Sequence, residues 1–452
     1  MKLTFLGATQ TVTGSKYLIE TANHKILIDC GLFQGYKELR LRNWAKLPIN
    51  PSEIDAVILT HAHIDHSGYL PLLIKNGFRG KIYSTSPTYE LCSLLLPDSG
   101  YLHEEDARRA NKYGYSKHHP ALPLYTEEDG KKALGYFATE DFGTEIELDD
   151  GLKFKFKRAG HILGAACVKI EQNGKSIFFT GDLGRLNDPI MKEPESLEAA
   201  DYIVTESTYG NREHGDEDPI DEMSEVINST LSKGGTVLIP SFAVGRAQNI
   251  LYYINRLKRT NRISSDIPVY LDSPMAIDAT DIFNKYHNEH RLSKQETREI
   301  CGSAIFTRTA DESKEIDNST MPSIIISASG MATGGRVLHH LKRIAPDMKN
   351  AILFAGYQAG GTRGDRMVKG EKLIKIHGKM IPINARVENL DNMSAHADYD
   401  EIMSYFSNIK EKPKKVFVTH GEYEAANFLK KRLSKTYGWD CTAPDYLDSV
   451  EL

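Results

Sequence analysis

Nine short runs rich in Ile, Val, Leu and Phe, each ending in a glycine, a turn residue or a polar side chain, constrain this chain most. They are KILIDCG (25–31), AVILTHA (56–62), SIFFTGD (176–182), YIVTEST (202–208), TVLIPSF (236–242), PVYLDSP (268–274), SIIISASG (323–330), AILFAGY (351–357) and KVFVTHG (415–421). Continuous apolar runs of this length, bounded by turn residues, read as buried strands. Several are followed by segments of helical period, RAQNILYYINRLKR (246–259), GRVLHHLKRIA (335–345) and DEIMSYFSNI (400–409), so the fold class is α/β. In such sheets ligands bind in the crevice outside the carboxyl ends of the strands. The polar residues and glycines of this chain cluster at those ends.

The 452 residues allow two to four domains. The stretch from 208 to 374 has its own series of strand, glycine-rich turn and helix and is expected as a second domain. NREHGDEDPIDE (211–222) reads as a linker or mobile loop, and HEEDARRANKYGYSKHHPALP (103–123) as a surface excursion from the first domain. With 56 Lys and Arg against 61 Asp and Glu, the net charge of −5 excludes a globally basic nucleic-acid binder. No run approaches the ~18 apolar residues of a membrane span, and MKLTFLGATQTVTG lacks the pattern of a secretion signal. Five scattered cysteines without a C-x-x-C pair argue against a disulfide framework or a thiolate metal site. A reducing, cytoplasmic setting is expected.

THAHIDHSG (60–68) follows the strand AVILT directly and holds four metal-ligand side chains, His61, His63, Asp65 and His66. On an extended turn His61 and His63 can point to one side, while Asp65 and His66 at the next helix start point back from the other. One segment can therefore feed two metals. Imidazole and carboxylate without thiolate suit zinc, and a zinc that keeps an open position for water is catalytic. Three further donors stand at matching turns or strand ends: His161 in RAGHILG, Asp182 in SIFFTGD and His420 in KVFVTHG. Each alone reads equally as a local turn residue; together they complete a binuclear set, with Asp182 as the carboxylate able to bridge. Asp29, ending KILIDCG, is either an acceptor that orients the histidine loop or a plain turn aspartate.

These residues resemble the metallo-β-lactamase superfamily, an αββα sandwich with a two-zinc edge site. Glu206 in VTESTYG, His396 in SAHAD and His420 in THGE are similar to motifs A, B and C of the β-CASP nucleases, in particular their RNA-processing branch. The resemblance implies a metallo-β-lactamase domain in two parts, 1–207 and 375–452, around an inserted Rossmann-like β-CASP domain at 208–374. It also implies two Zn²⁺ per chain, one held by His61, His63 and His161, the other by Asp65, His66 and His420, with Asp182 shared. His396 is then the general acid and Glu206 its partner, and with the metal-holding Asp182 and Asp65 they form the catalytic set.

The implied function is a zinc-dependent ribonuclease that hydrolyses RNA phosphodiester bonds through a metal-activated hydroxide, in RNA processing or decay, on single-stranded RNA. IPSFAVGRAQ (239–248) and SASGMATGGR (327–336) carry strands into helix starts through small residues, which would leave N–H groups for phosphate, with Ser241, Arg246, Ser329 and Arg336 as candidate substrate contacts. Plain Rossmann-like packing explains the same turns. A hydrolase of small thioesters or lactones would share the zinc loop without needing the inserted domain, Glu206 or His396. A non-catalytic RNA-binding scaffold would be expected to lose ligands. Cleavage mode and a homodimer stay open.

Overall fold

The computed structural model describes residues 1–114, 116–215 and 218–452. Residues 1–213 and 396–452 form one compact unit, and residues 214–395 form another. The first contains two seven-stranded sheets. One runs Ser449–Glu451, Lys2–Phe5, Tyr17–Glu20, Lys25–Ile28, Ala56–Ile58, Lys81–Ser84, Phe137–Thr139. The other runs Cys441–Thr442, Lys415–Val418, Tyr202–Thr205, Lys175–Phe179, Ala166–Gln172, Lys153–Arg158, Glu145–Glu147.

The two-residue period of a strand turns alternate side chains to one face. Leu3 and Phe5, Tyr17 and Ile19, and Ile26 and Ile28 of one sheet meet Phe154 and Phe156, Val168 and Ile170, and Ile177 and Phe179 of the other in a single core. Leu27 and Val57, on the opposite face, are also fully buried. Helices cover the outer faces, Ser86–Tyr113 against Phe137–Thr139 and Tyr423–Tyr437 against Lys415–Val418. Burial on both faces is why these strands read as unbroken apolar runs. The arrangement is the expected αββα sandwich.

The second unit is built on six parallel strands in the order Ile305–Phe306, Val269–Leu271, Ile324–Ser327, Val237–Pro240, Ala351–Ala355, Arg386–Leu390. Leu238, Ile325, Ile352 and Phe354 pack against Val337, Leu338, Leu341 and Ile344 of the helix Val337–Ile344. The helix Arg246–Arg259 buries Ile250, Leu251, Ile254 and Leu257. This is the Rossmann-like layering expected of the insert.

Three sequence expectations need adjustment. The boundary after 374 falls inside the hairpin of Leu373–Ile376 with Lys379–Pro382, and Arg386–Leu390 then joins the second unit's sheet beside Ala351–Ala355. That edge strand buries only Leu390, so no apolar run announces it. The first half of the 103–123 stretch is the end of the helix Ser86–Tyr113, which starts at a Thr85 cap and stops at Gly114 in a left-handed conformation, φ 64°. Residue 115 of that stretch lies outside the described residues. Residues 216 and 217 of the expected linker also lie outside them, and Ile220–Leu231 is already helix.

A buried polar network knits the second unit. Asp272, fully buried, accepts from Arg336 Nη1 at 2.6 Å, Ser313 Oγ at 2.5 Å and His340 Nε2 at 2.7 Å, while His340 Nδ1 lies 2.8 Å from Asp317. Burial alone would lower the His340 pKa, but hydrogen bonds to Asp272 and Asp317 overcome it and raise the value. Burial likewise opposes charge on Asp272, whose pKa His340, Ser313 and Arg336 nevertheless hold down. A raised histidine contributes stability fully below its ordinary value of 6.5 and loses it as pH rises through the folded-state value. A lowered aspartate contributes above its ordinary 3.8 and loses it as pH falls through the folded-state value. Urea midpoints of the wild type minus those of His340→Gln should therefore be largest between these limits and shrink as pH climbs past 6.5. Asp272→Ala, which takes one acceptor from the part-exposed Arg336 guanidinium and one from the buried His340 imidazole while Thr307, Arg308 and Asp317 still hold them, should cost about 1–3 kcal/mol in the same assay.

Candidate metal centre

Asp29 and Thr60 leave neighbouring parallel strands at the same end, because the register sets Ile28 opposite Ile58. Thr60 donates its backbone N–H to Asp29 Oδ1 at 2.8 Å and its hydroxyl to Oδ2 at 3.0 Å. His66 Nδ1 lies 2.6 Å from Oδ2. An ionised carboxylate only accepts, so Nδ1 carries the proton and Nε2 turns its lone pair to the other side. Asp29 has φ 59°, a left-handed conformation that a non-glycine residue keeps only when its surroundings over-determine it. These bonds do so.

Past Thr60 the chain carries His61 and His63 into the short helix Ile64–Ser67, which holds Asp65 and His66. In the facing sheet, Lys175–Phe179, Tyr202–Thr205 and Lys415–Val418 run parallel side by side, so Asp182, Glu206 and His420 emerge together. His161 occupies the turn before Ala166–Gln172, and Ala166 N donates to Thr60 O at 2.9 Å, tying that turn to the histidine loop.

Two donor groups result. In the first, His63 Nδ1 lies 3.1 Å from His61 Nε2 and 3.2 Å from His161 Nε2, with Asp182 Oδ2 at 3.4 Å from His61 and 3.6 Å from His161. In the second, His66 Nε2 and His420 Nε2 are 3.1 Å apart, and Asp65 Oδ2 is 3.5 Å from His420 Nε2. Asp182 Oδ1 faces this second group, 3.2 Å from His66 and 3.4 Å from His420. All seven residues singled out as ligands thus come together, each group with donor atoms within 4.8 Å of one another.

The donor set fits a metal. Asp182 Oδ1 is buried and accepts no hydrogen bond among the described residues, and facing imidazole lone pairs need a proton or cation between them. Nitrogen and carboxylate oxygen without sulfur match zinc. Burial, reinforced by His66, holds His61 well below the ordinary imidazole range, and burial takes His63 down to about 4. Both are therefore in the neutral form that ligates. Burial works against charge on Asp182, yet His420, His66 and His61 keep its pKa well below the usual carboxylate value. On His66 the cost of burial is outweighed by Asp182 and Asp29, which draw a proton there that a cation would displace.

His396 stands beside these groups. Its Nδ1 is 3.1 Å from both oxygens of Glu206, and its ring centroid is 4.4 Å from that of His161. A short bridge to Gly184 and the bond from Ala397 N to Leu183 O at 2.7 Å fix its backbone. Burial disfavours its charged form, but Glu206 and Asp182 raise its pKa above the ordinary value.

Ser241, Arg246, Ser329 and Arg336 all belong to the second unit. Two of them already have partners inside the unit. Arg336 is committed to Asp272 and to the carbonyls of Thr307 and Arg308, and Ser241 is buried, its hydroxyl on the Phe242 carbonyl. The expected phosphate-binding N–H groups are also used locally: Arg246 N bonds Val244 O, Ala247 N bonds Phe242 O and Val337 N bonds Ala328 O. Sequence reasoning passes over Thr60, Thr208, whose hydroxyl is 3.2 Å from His420 Nδ1, and Lys16. Lys16 is buried, bonds the Gly31 carbonyl and lies over the rings of Phe33 and Tyr69, and burial lowers its pKa to about 8. Thr60 has a signal, a hydroxyl between a strand end and the first ligand.

Family profiles match along most of the chain: the metallo-beta-lactamase superfamily over residues 11–211, the Beta-Casp domain over 247–367, and the Zn-dependent metallo-hydrolase RNA specificity domain over 380–444. Ribonuclease TTHA0252 of Thermus thermophilus is 35% identical over 96% of either chain. The chain belongs to the β-CASP family of the metallo-β-lactamase superfamily. Other β-CASP relatives are the RNase J-like protein of Methanocaldococcus jannaschii, 33% identical over 94% of each chain, and transcription termination factor FttA of Pyrococcus abyssi, 34% identical over 100% of this chain and 71% of that one. A crystal structure of a protein of unknown function from Enterococcus faecalis shares the fold, with a TM-score of 0.53 at 14% identity over 100% of this chain and 99% of its own. The histidine-rich centre of this β-CASP chain is thus that of a zinc-dependent metallo-hydrolase.

Because Asp29 fixes the tautomer of His66 without belonging to either donor group, Asp29→Ala should weaken zinc binding about 10- to 100-fold while leaving the fold intact. Competition with a chromophoric chelator measures it, and Asp29→Asn, which can no longer take the proton of Nδ1 as a charged acceptor, should fall between the two.

Proposed function

We propose that this β-CASP protein is a two-zinc ribonuclease that hydrolyses phosphodiester bonds of single-stranded RNA. The observation that carries the count is Asp182, whose two oxygens face different donor groups. Seven donor side chains also exceed one tetrahedral shell. On this reading His61, His63 and His161 hold one ion, Asp65, His66 and His420 the other, and Asp182 both. Zinc, when bound, lowers the pKa of water towards about 7 and draws charge from the phosphodiester. RNA as substrate is supported by the RNA specificity profile and by relatives named as ribonucleases. The cytoplasmic setting belongs to the same proposal, supported by five free cysteines, three of them buried.

The chain's own contribution to bond breaking is a proton. Glu206 holds the Nδ1–H of His396 and favours the imidazolium, so the other ring nitrogen can protonate the departing sugar oxygen. Glu206 is itself fixed by N–H donors from Leu183 at 2.5 Å and Thr208 at 3.3 Å.

Metal analysis should find about two zincs per chain, and chelation should abolish cleavage of end-labelled single-stranded RNA until zinc is restored. A protein fully active with a single metal would overturn the two-ion reading. His396→Ala should retain both zincs and RNA affinity but lose roughly 10²–10⁴ in rate. RNA carrying sulfur in place of the leaving sugar oxygen needs no such proton and should be cut by this variant at close to the wild-type rate. Equal losses on both substrates, or a lost zinc, would make His396 a structural residue.

A further inference from the structure

Shortly beyond Asp29 the chain forms a short helix, Lys37–Arg42, whose outward side chains the metal centre does not use. Tyr36 is 51% exposed, Leu41 56% and Trp44 59%. The protein has two tryptophans, and the other, Trp439, is 7% exposed against Phe406 and Tyr437. In a chain of net charge −5, KELRLRNWAK (37–46) carries four basic residues and one acidic. Among the described residues Lys37, Arg40 and Lys46 join no ion pair.

The segment is held firmly. Asn43 is buried, accepting from Phe33 N at 2.9 Å and donating to Phe33 O at 2.8 Å, and the Arg42 guanidinium lies 4.2 Å from the centre of the Tyr446 ring. Arg40 N bonds Tyr36 O at 3.0 Å, which sets these two side chains one turn apart on one face. The chain just before it is fastened to the histidine loop: Cys30 N donates to His66 O at 2.7 Å and Leu32 N to Ile64 O at 2.9 Å. Exposed rings and unpaired cations therefore stand on a firmly held element that follows closely on the strand end anchoring the histidine loop.

We infer that Tyr36 and Trp44, with Lys37, Arg40 and Lys46, form a platform for the single-stranded RNA substrate, bases stacking on the rings and phosphates pairing with the cations. This rests on the ribonuclease reading for the identity of the polyanion. Every base offers a face to an aromatic ring, so such a platform holds RNA without reading sequence. A helix of 6 residues is too short to lay an amphipathic face into lipid, which makes a membrane the weaker match.

Trp439→Phe leaves Trp44 as the sole tryptophan reporter. Titration of this protein with an oligouridylate of about 16 nucleotides should quench its emission saturably. Trp44→Ala should weaken oligouridylate binding about 5- to 100-fold and raise KM for RNA cleavage with kcat kept, and Trp44→Phe should recover part of the loss. Replacing Lys37, Arg40 and Lys46 by Ala together should reduce the slope of log affinity against log salt by about 2. Zinc content and melting midpoint should stay at wild-type values. Cleavage by wild type with unchanged KM and affinity in Trp44→Ala would overturn the platform and leave the ribonuclease reading standing. Quenching without any cleavage would do the reverse. Emission that responds to vesicles of anionic lipid and not to the oligouridylate would overturn the platform in favour of a lipid surface.

Discussion

A carboxylate buried among imidazoles is the constraint on which the rest of the first unit depends. Asp182, 2% exposed, lies within 4 Å of ring nitrogens of His61, His66, His161, His396 and His420. With the imidazoles neutral it is an uncompensated buried charge, which is costly. With several of them protonated, like charges crowd within a few ångströms. A divalent cation resolves both problems at once, supplying positive charge beside the carboxylate while leaving the imidazoles neutral. The site's electrostatics are therefore coupled to metal occupancy, and so is the local stability of the loops that present these side chains.

Backbone topology brings those loops together. Parallel neighbours in each sheet release their chains at one end, and the two sheets face each other across a shared apolar core, so a ligand at one strand end meets ligands from the opposite sheet. The cost shows in backbone conformation. Asp29 at φ 59° and His420 at φ 46° both adopt the left-handed region, and each is pinned there, Asp29 by Thr60 and His66, His420 by its N–H to the Ala8 carbonyl at 2.7 Å. Strained strand-end residues at a candidate centre are what a rigid scaffold built around a demanding geometry looks like.

Much of this architecture is legible in the amino-acid sequence, and for a physical reason. A strand buried on both faces must be apolar throughout, so its polar terminal residue stands out, and Asp29, His61, Asp182, Glu206 and His420 are all visible in this way. His61, His63, Asp65 and His66 announce themselves by spacing. Residues that act through others leave weaker traces: Thr60 shows only as a hydroxyl between a strand end and the first ligand, and Thr208 and Lys16 are ordinary types at ordinary positions whose contacts only folding shows. The bond of Arg336 to Asp272 is hidden because its partner lies 64 residues away, a distance over which no local pattern operates. The glycine-rich turns look like phosphate cradles because sequence shows that N–H groups exist but not that nearby carbonyls use them. Arg386–Leu390 escapes notice because an edge strand with one buried residue has no apolar signature.

The cluster of Asp182, Glu206 and His396 raises the question of whether an ion belongs there too, since its donor atoms lie as close together as those of the two groups described above. The hydrogen bonding argues otherwise. Glu206 Oε1 accepts from Leu183 N and Oε2 from Thr208 N, and both oxygens face His396 Nδ1. A cation at this point would have to displace a backbone N–H bond in a buried setting and repel the imidazolium that the carboxylate favours. Asp182 differs in kind, because its Oδ1 has no N–H or O–H donor among the described residues. Two carboxylates one strand apart thus differ in what donates to them. The carboxylate whose Oδ1 lacks a donor suits a metal, and the one held by two backbone N–H donors faces an imidazole instead.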